Sequence, residues 1–94
     1  MNKEIFEYVV ERRKTVGIML GTVKAGKIKI GWCKTALTLG DKFDKDFGMK
    51  LARNRAMRKA KIPKLPLCMK RGMIDFSTRC IRYFQDAKSM DLVR

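Results

Sequence analysis

Hydrophobic and polar residues alternate most cleanly in "KIKIGWC" (27–33), where Ile28, Ile30 and Trp32 point one way and Lys27, Lys29 and Gly31 the other. Successive side chains of a strand point to opposite faces, so this pattern predicts a strand with one buried and one wet face, as in an antiparallel sheet. The preceding "TVGIMLGTV" (15–23) has the same period, with Val16, Ile18 and Leu20 on one face and Gly17, Met19 and Gly21 on the other. "KAGK" between them supplies a turn, Gly26 being free to take a positive φ, and the two segments form a hairpin. "EIFEYVVE" (4–11) has two readings. Phe6, Tyr8 and Val10 alternate as in a strand rich in aromatic and β-branched residues, whereas Glu4, Glu7 and Glu11 would equally line one side of a helix. The strand is the preferred reading, although the turn it requires at "RRK" holds no glycine or asparagine.

Beyond residue 40 the period becomes helical. Phe43, Phe47 and Leu51 recur every four residues and predict a helix over about 41–61, capped by Asp41 with Asp44 three residues on, and stopped by Pro63. Gly48 lies beside that stripe; its cost of about 1 kcal/mol in a helix implies close approach to another element. Pro66 suits the first position of a second helix reaching about residue 86, whose apolar positions are Met69, Met73, Phe76, Cys80 and either Tyr83 or Phe84. The tail from Ala87 is expected to fray.

The expected architecture is a single α+β domain over residues 1–94. A two- or three-stranded antiparallel meander (about 5–10, 15–23 and 27–33) carries two amphipathic helices packed on one face. Val16, Ile18, Leu20, Ile28, Ile30 and Trp32 lie beneath the helices. The other face, nearly bare at Gly17, Gly21 and Gly31 around Met19, is expected to meet solvent; docking of another backbone or helix is the alternative.

Charge changes the picture more than composition does. Twenty-three lysines and arginines against nine acids leave a net charge of +14, which points to a polyanionic partner. With no histidine and three widely spaced cysteines (Cys33, Cys68, Cys80), the chain lacks the four ligands of a structural zinc site. The cysteines read as small buried hydrophobes in a reducing compartment. No run approaches the roughly 20 apolar residues that span a membrane, and the N-terminal stretch has no signal-peptide core. A cytoplasmic protein is expected.

"GDKFDKDFGMKLARNRAMRKAKIPK" (40–64) sorts its charges by end. Asp41, Asp44 and Asp46 open the segment in the first turns of the helix, where negative charge complements the dipole. Their spacing is not that of a calcium loop, and no histidine is present for proton transfer. No catalytic residue, metal or cofactor is expected, and the chain is read as a binding protein rather than an enzyme. The bases that follow are Lys50, Arg53, Arg55, Arg58, Lys59, Lys61, Lys64, Lys70 and Arg71, with no acid among them. Two or three would satisfy the dipole; nine imply a phosphate-binding surface. Lys50 and Arg53 fall opposite the apolar stripe, whereas Arg55 and Arg58 rotate toward it, so the helix end is expected to overhang the sheet. Neither a helix-turn-helix spacing nor a ribonucleoprotein-type aromatic motif is present, which leaves DNA, RNA or a ribonucleoprotein open. Trp32, in register with Ile28 and Ile30, reads as core.

"IGWCK" followed by "GDKFDKDFGMKLARNRA" resembles a family of small uncharacterised proteins of tailed bacteriophages, in which a glycine-turned hairpin leads into a motif like K-x-D-K-F-D-K-x-x-G-x-x-x-A-x-x-R-A. Asp41, Lys42, Phe43, Asp44, Lys45, Gly48, Ala52, Arg55 and Ala56 stand at the matching positions, about a quarter of the chain, and "RCIRYF" is a weaker echo. The resemblance implies a phage origin and a site of action in the bacterial cytoplasm; it brings no assigned activity. Small early phage proteins act by binding, which implies two alternatives: a nucleic-acid binder using the 50–71 surface, or a host-protein binder using the glycine-lined sheet face or the basic patch.

Overall fold

A computed structural model describes residues 3–35, 43–58 and 64–90, the Cys68 side chain excepted. Three strands form where the alternation predicts them, β1 (Glu4–Glu11), β2 (Lys14–Lys24) and β3 (Lys27–Lys34). Helix α1 (Lys45–Ala56), helix α2 (Leu67–Tyr83) and a two-residue strand β4 (Ser89–Met90) follow. The sheet order is β1-β2-β3-β4, the first three strands antiparallel and β4 parallel to β3. The fold is thus α+β as expected, but its sheet is mixed and has four strands. The described part of the segment expected to fray, through Met90, is tied down instead: the Lys88 N–H donates to the Gly26 carbonyl at 2.7 Å, and Ser89 and Met90 pair with Lys27 and Ile28.

A second correction concerns the helices, which lie on opposite faces of the sheet rather than side by side on one. One core cluster joins Met69, Met73, Phe76, Cys80 and Phe84 of the α2 segment to Ile5, Val9, Val16, Met19, Ile28, Ile30 and Trp32. A separate cluster joins Ala52 and Ala56 of α1 to Ile18, Leu20 and Cys33. The reason lies in β2. A bulge falls between Val9 and Val10, which pair with Gly17 and Thr15 and leave Val16 as the extra residue. The register of β2 with β3 pairs Ile18 and Leu20 with Cys33 and Gly31, and Met19 and Gly21 with Trp32 and Ile30. Ile18 and Leu20 therefore share the α1 face while Ile28, Ile30 and Trp32 share the other. The extra residue shifts the inward–outward phase and turns Val16 to the α2 face as well. The supposedly bare glycine face is therefore covered. A Cβ on Gly21 would strike Cys80 of α2, and one on Gly31 would strike the backbone of α1.

Helix α1 begins later than the charge pattern suggested. Asp44, with extended backbone, is its N-cap, and its Oδ1 accepts from the Phe47 N–H at 3.1 Å. The expected cap Asp41 lies outside the described residues, as do Lys59, Lys61 and Pro63. The helix also stops earlier, because Arg58 adopts φ +58 and cannot continue it. Its buried seam is Gly48, Ala52 and Ala56, while Phe47 of the expected stripe is 63% exposed. Small residues win this face because they let the helix backbone descend onto Gly31, where no side chain intervenes. Helix α2 buries Met69, Met73, Phe76 and Cys80 in the expected 4-3-4 pattern, and of the two final candidates Phe84 is buried and Tyr83 is not.

The two glycines nearest α1 should respond oppositely to an added methyl. Gly31→Ala is expected to destabilise by about 3 kcal/mol, because its Cβ would fall well inside contact distance of the Ala52 carbonyl and the Ala56 N–H. Gly48→Ala is expected to be near neutral: its Cβ would meet the edge of the Phe43 ring at 3.3 Å and Ile18 Cδ1 at an ordinary 3.7 Å, against a helix-propensity gain of about 1 kcal/mol. Urea melts of both variants measure the contrast, and equal losses would contradict a seam seated at Gly31.

Candidate functional site

The described members of the nine expected bases do not form one surface; Lys59 and Lys61 lie outside the described residues. Lys50 is exposed on the outer side of α1. Arg53 reaches β1, its Nη2 and Nε donating to the Glu4 carboxylate at 2.6 and 3.0 Å. This forked pair holds the Glu4 carboxyl below its ordinary value, chiefly through the hydrogen bond from Arg53. Arg55 is half-buried: its guanidinium lies 5.2 Å over the Trp32 ring and donates from Nη1 to the Trp32 carbonyl at 3.0 Å. It closes part of the β3 edge that β4 does not reach. Among the described residues α1 does not overhang the sheet, since Ala56 in its last turn is buried on it. Lys64, Lys70 and Arg71 are exposed at the start of α2, on the other face of the sheet.

A different set of bases converges at the β2–β3 turn. Lys24, Ala25, Lys27 and Lys29 line a shallow hollow of about 420 Å³ together with Met57 at the end of α1 and Ser89 of β4. Exposed Arg58 follows Met57 directly. Beyond the turn, Lys3, Val23, Gly26, Tyr83, Phe84, Gln85, Asp86 and Ala87 line a second cleft of about 360 Å³. Lys3 is placed there by the buried Thr22, whose hydroxyl donates to the Lys3 carbonyl at 3.0 Å. Lys88 joins them through its hydrogen bond to Gly26. Asp86 is the one acid lining either hollow. The lysines of "KAGKIK" were visible in the sequence as a cluster around a turn; that Lys3, Arg58 and Lys88 join them depends on long-range packing that no local pattern reveals.

The remaining chemistry is quiet. Burial raises both described thiols, Cys33 and, to about 12, Cys80, so each is protonated and unreactive near neutral pH. Of the three aspartates at the start of the helix segment, Asp44 serves as the cap. Among the described residues no three His, Cys, Asp or Glu side chains gather as a metal ion would require. No described helix is long and apolar enough to cross a membrane. In comparisons with known proteins, no family model, no curated protein and no solved structure matches this chain.

The Glu4–Arg53 pair yields a pH signature. The folded value of Glu4 lies below its unfolded one, so the contribution is present in full above pH 4.5 and is lost as the pH falls through the lowered value. Arg53→Ala is expected to cost no more than about 1 kcal/mol at pH 7, because both groups remain partly in water. In urea melts at several pH values that difference should vanish in acid; a deficit that persists there would assign the role of Arg53 to packing instead.

Proposed function

We propose that this protein is a phage-encoded basic binding protein of the bacterial cytoplasm, acting without catalysis, that engages nucleic acid or a ribonucleoprotein. The reading rests on one observation above all: Lys24, Lys27 and Lys29 line one hollow at the β2–β3 turn and Lys3 lines the next, while the backbone brings Arg58 and Lys88, from two further segments, to the same end of the molecule. Bringing like charges together is unfavourable for folding, so a surface built this way fits a polyanion better than it fits water. Of the bases first considered, Arg58 belongs to this surface and Lys50 extends it along α1. Arg53 and Arg55 are engaged within the fold, and Lys64, Lys70 and Arg71 form a separate patch.

Fluorescence anisotropy with labelled DNA and RNA between about 50 and 300 mM salt tests the reading. If four to six bases meet phosphates, log affinity should fall with log salt at a slope of about −3 to −5. Lys24→Glu, Lys27→Glu and Lys29→Glu together should weaken binding at least about 30-fold and flatten the slope by about 2. The pair Lys70→Glu and Arg71→Glu should matter far less. Failure to bind either nucleic acid more tightly than about 10 μM at 50 mM salt would overturn the proposal.

A second reading, that the protein binds a host protein, is favoured by the outer face of α2. Leu67, Ile74 and Ile81 are 82%, 69% and 53% exposed and recur every seven residues, which aligns them on one helix face beside Lys70, Arg71 and Arg82. Such a stripe fits an acidic amphipathic helix. The glycine-lined sheet face no longer serves this reading, being covered by the protein's own helices.

A further inference from the structure

The cleft beyond the β2–β3 turn contains the one feature of the basic end that charge does not explain, an exposed aromatic ring. Tyr83 is 54% exposed, yet it is not loose: it packs edge-to-face on Phe84, with ring centres 4.9 Å apart and planes at 89°. Phe84 is buried in the α2-side core, so Tyr83 rests on a fixed support. The opposite wall is Val23 and Gly26, and a Cβ at Gly26 would meet nothing within 4 Å, so the mouth is open. At about 360 Å³ the cleft lies at the small end of ligand sites.

Its polar lining is selective. Asp86 makes this part of the lining unfavourable for a phosphate, but Asp86 and Gln85 together offer acceptors suited to the amino group of a base. Lys3 is in the cleft wall, and Lys24 and Lys27, on either side of the turn, line the adjoining hollow. Acceptors in the lining, an exposed aromatic ring beside them and lysines in the wall and in the adjoining hollow match a nucleotide whose base enters and whose flanking phosphates stay outside. In a duplex the base is stacked and paired and cannot enter.

We infer that this cleft takes one unpaired base of a single-stranded nucleic acid, stacked on Tyr83, with its amino-bearing edge toward Gln85 and Asp86 and its neighbouring phosphates on Lys3, Lys24 and Lys27. The inference rests on the proposed nucleic-acid reading and narrows it to single strands. Stacking on an aromatic ring tolerates every base, so the site confers strandedness more than sequence.

The experiment is anisotropy with a labelled 15-nucleotide DNA single strand of mixed sequence, the same strand with abasic sites, and its duplex. These are titrated against the full chain, Tyr83→Ala, Tyr83→Phe and the double variant Lys24→Glu/Lys27→Glu. Tyr83→Ala should lose about 5- to 100-fold for the single strand, the effect of one stacked base, with an unchanged salt slope. Tyr83→Phe should retain binding, and the abasic strand should bind the parent protein as weakly as the normal strand binds Tyr83→Ala. The lysine variant should lose affinity and flatten the slope. Circular dichroism of Tyr83→Ala checks that the fold survives, and Tyr83→Phe keeps the test valid if it does not. Wild-type affinity in Tyr83→Ala alongside a loss in the lysine variant overturns the cleft and leaves the charged surface standing; equal affinity for the duplex does the same. No binding by the parent protein overturns both.

Discussion

Strand β2 has seven consecutive buried residues, Val16 to Thr22, and a strand that is dry on both faces has to be covered twice. That requirement organises the rest of the molecule. A two-layer arrangement would leave either Ile18 and Leu20 or Val16 and Met19 in water, at a cost of about 1.5–3 kcal/mol for each large side chain. The two coverings differ in kind. Helix α2 covers its face with long side chains, Met69, Met73 and Phe76, that interdigitate with Ile28, Ile30 and Trp32. Helix α1 covers the other through small residues at its centre, resting Ala52 and Ala56 on the backbone around Gly31, with Met49 and Leu51 only partly buried beside them. The first contact is adaptable, since methionine fills irregular space. The second is a fixed seat that holds the end of α1, and so Arg58, beside the turn lysines.

How much of this could be read from the chain follows the range of each cause. The alternation in β3 and the 4-3-4 spacing in α2 are local, and both were legible residue by residue. The faces of β2 were not, because its bulge arises from pairing with β1 and changes the phase midway through a regular-looking pattern. The glycines misled for a related reason. At Gly21 and Gly31 the missing side chain looked like bareness, whereas its use is to make room for a helix. Phe43, Phe47 and Leu51 gave the true period of α1 but not its centre: Phe43 and Leu51 flank the core while Phe47 is exposed, since a seam of small residues carries little hydrophobic signal and still packs closest. The charge surplus was plain in the composition, but not where it gathers. A run in sequence is cut apart when two helices go to opposite faces, and bases far apart in sequence are brought together by a turn.

The two turns of the meander show the same balance between local preference and tertiary demand. Ala25 and Gly26 both take positive φ (54° and 76°), as do Arg12 and Arg13 (49° and 67°). Two-residue hairpins need this conformation because its twist matches that of the strands. At Arg12 and Arg13 neither residue favours it, each at a disadvantage of about 1 kcal/mol, so the pairing of β1 with β2 imposes the turn rather than the reverse. "RRK" gave no turn signal in the sequence because the information lies in the strands on either side.

Strand β1 is the outer strand of the sheet, and among the described residues its far edge has no strand partner. It carries Glu4, Glu7 and Glu11, three of the nine acids in the chain, together with partly or largely exposed Phe6, Tyr8 and Val10. An edge with those aromatic and β-branched residues is a template on which another copy can extend the sheet. Two such edges meeting would set glutamates against glutamates along the seam. In isolation the overall positive charge already keeps copies apart. On the proposed reading a polyanion covering the bases would remove that repulsion, and the acids of this one strand, Glu4 and Glu7 held by Arg53 and Arg79, would be left to keep bound molecules from joining into a continuous ladder.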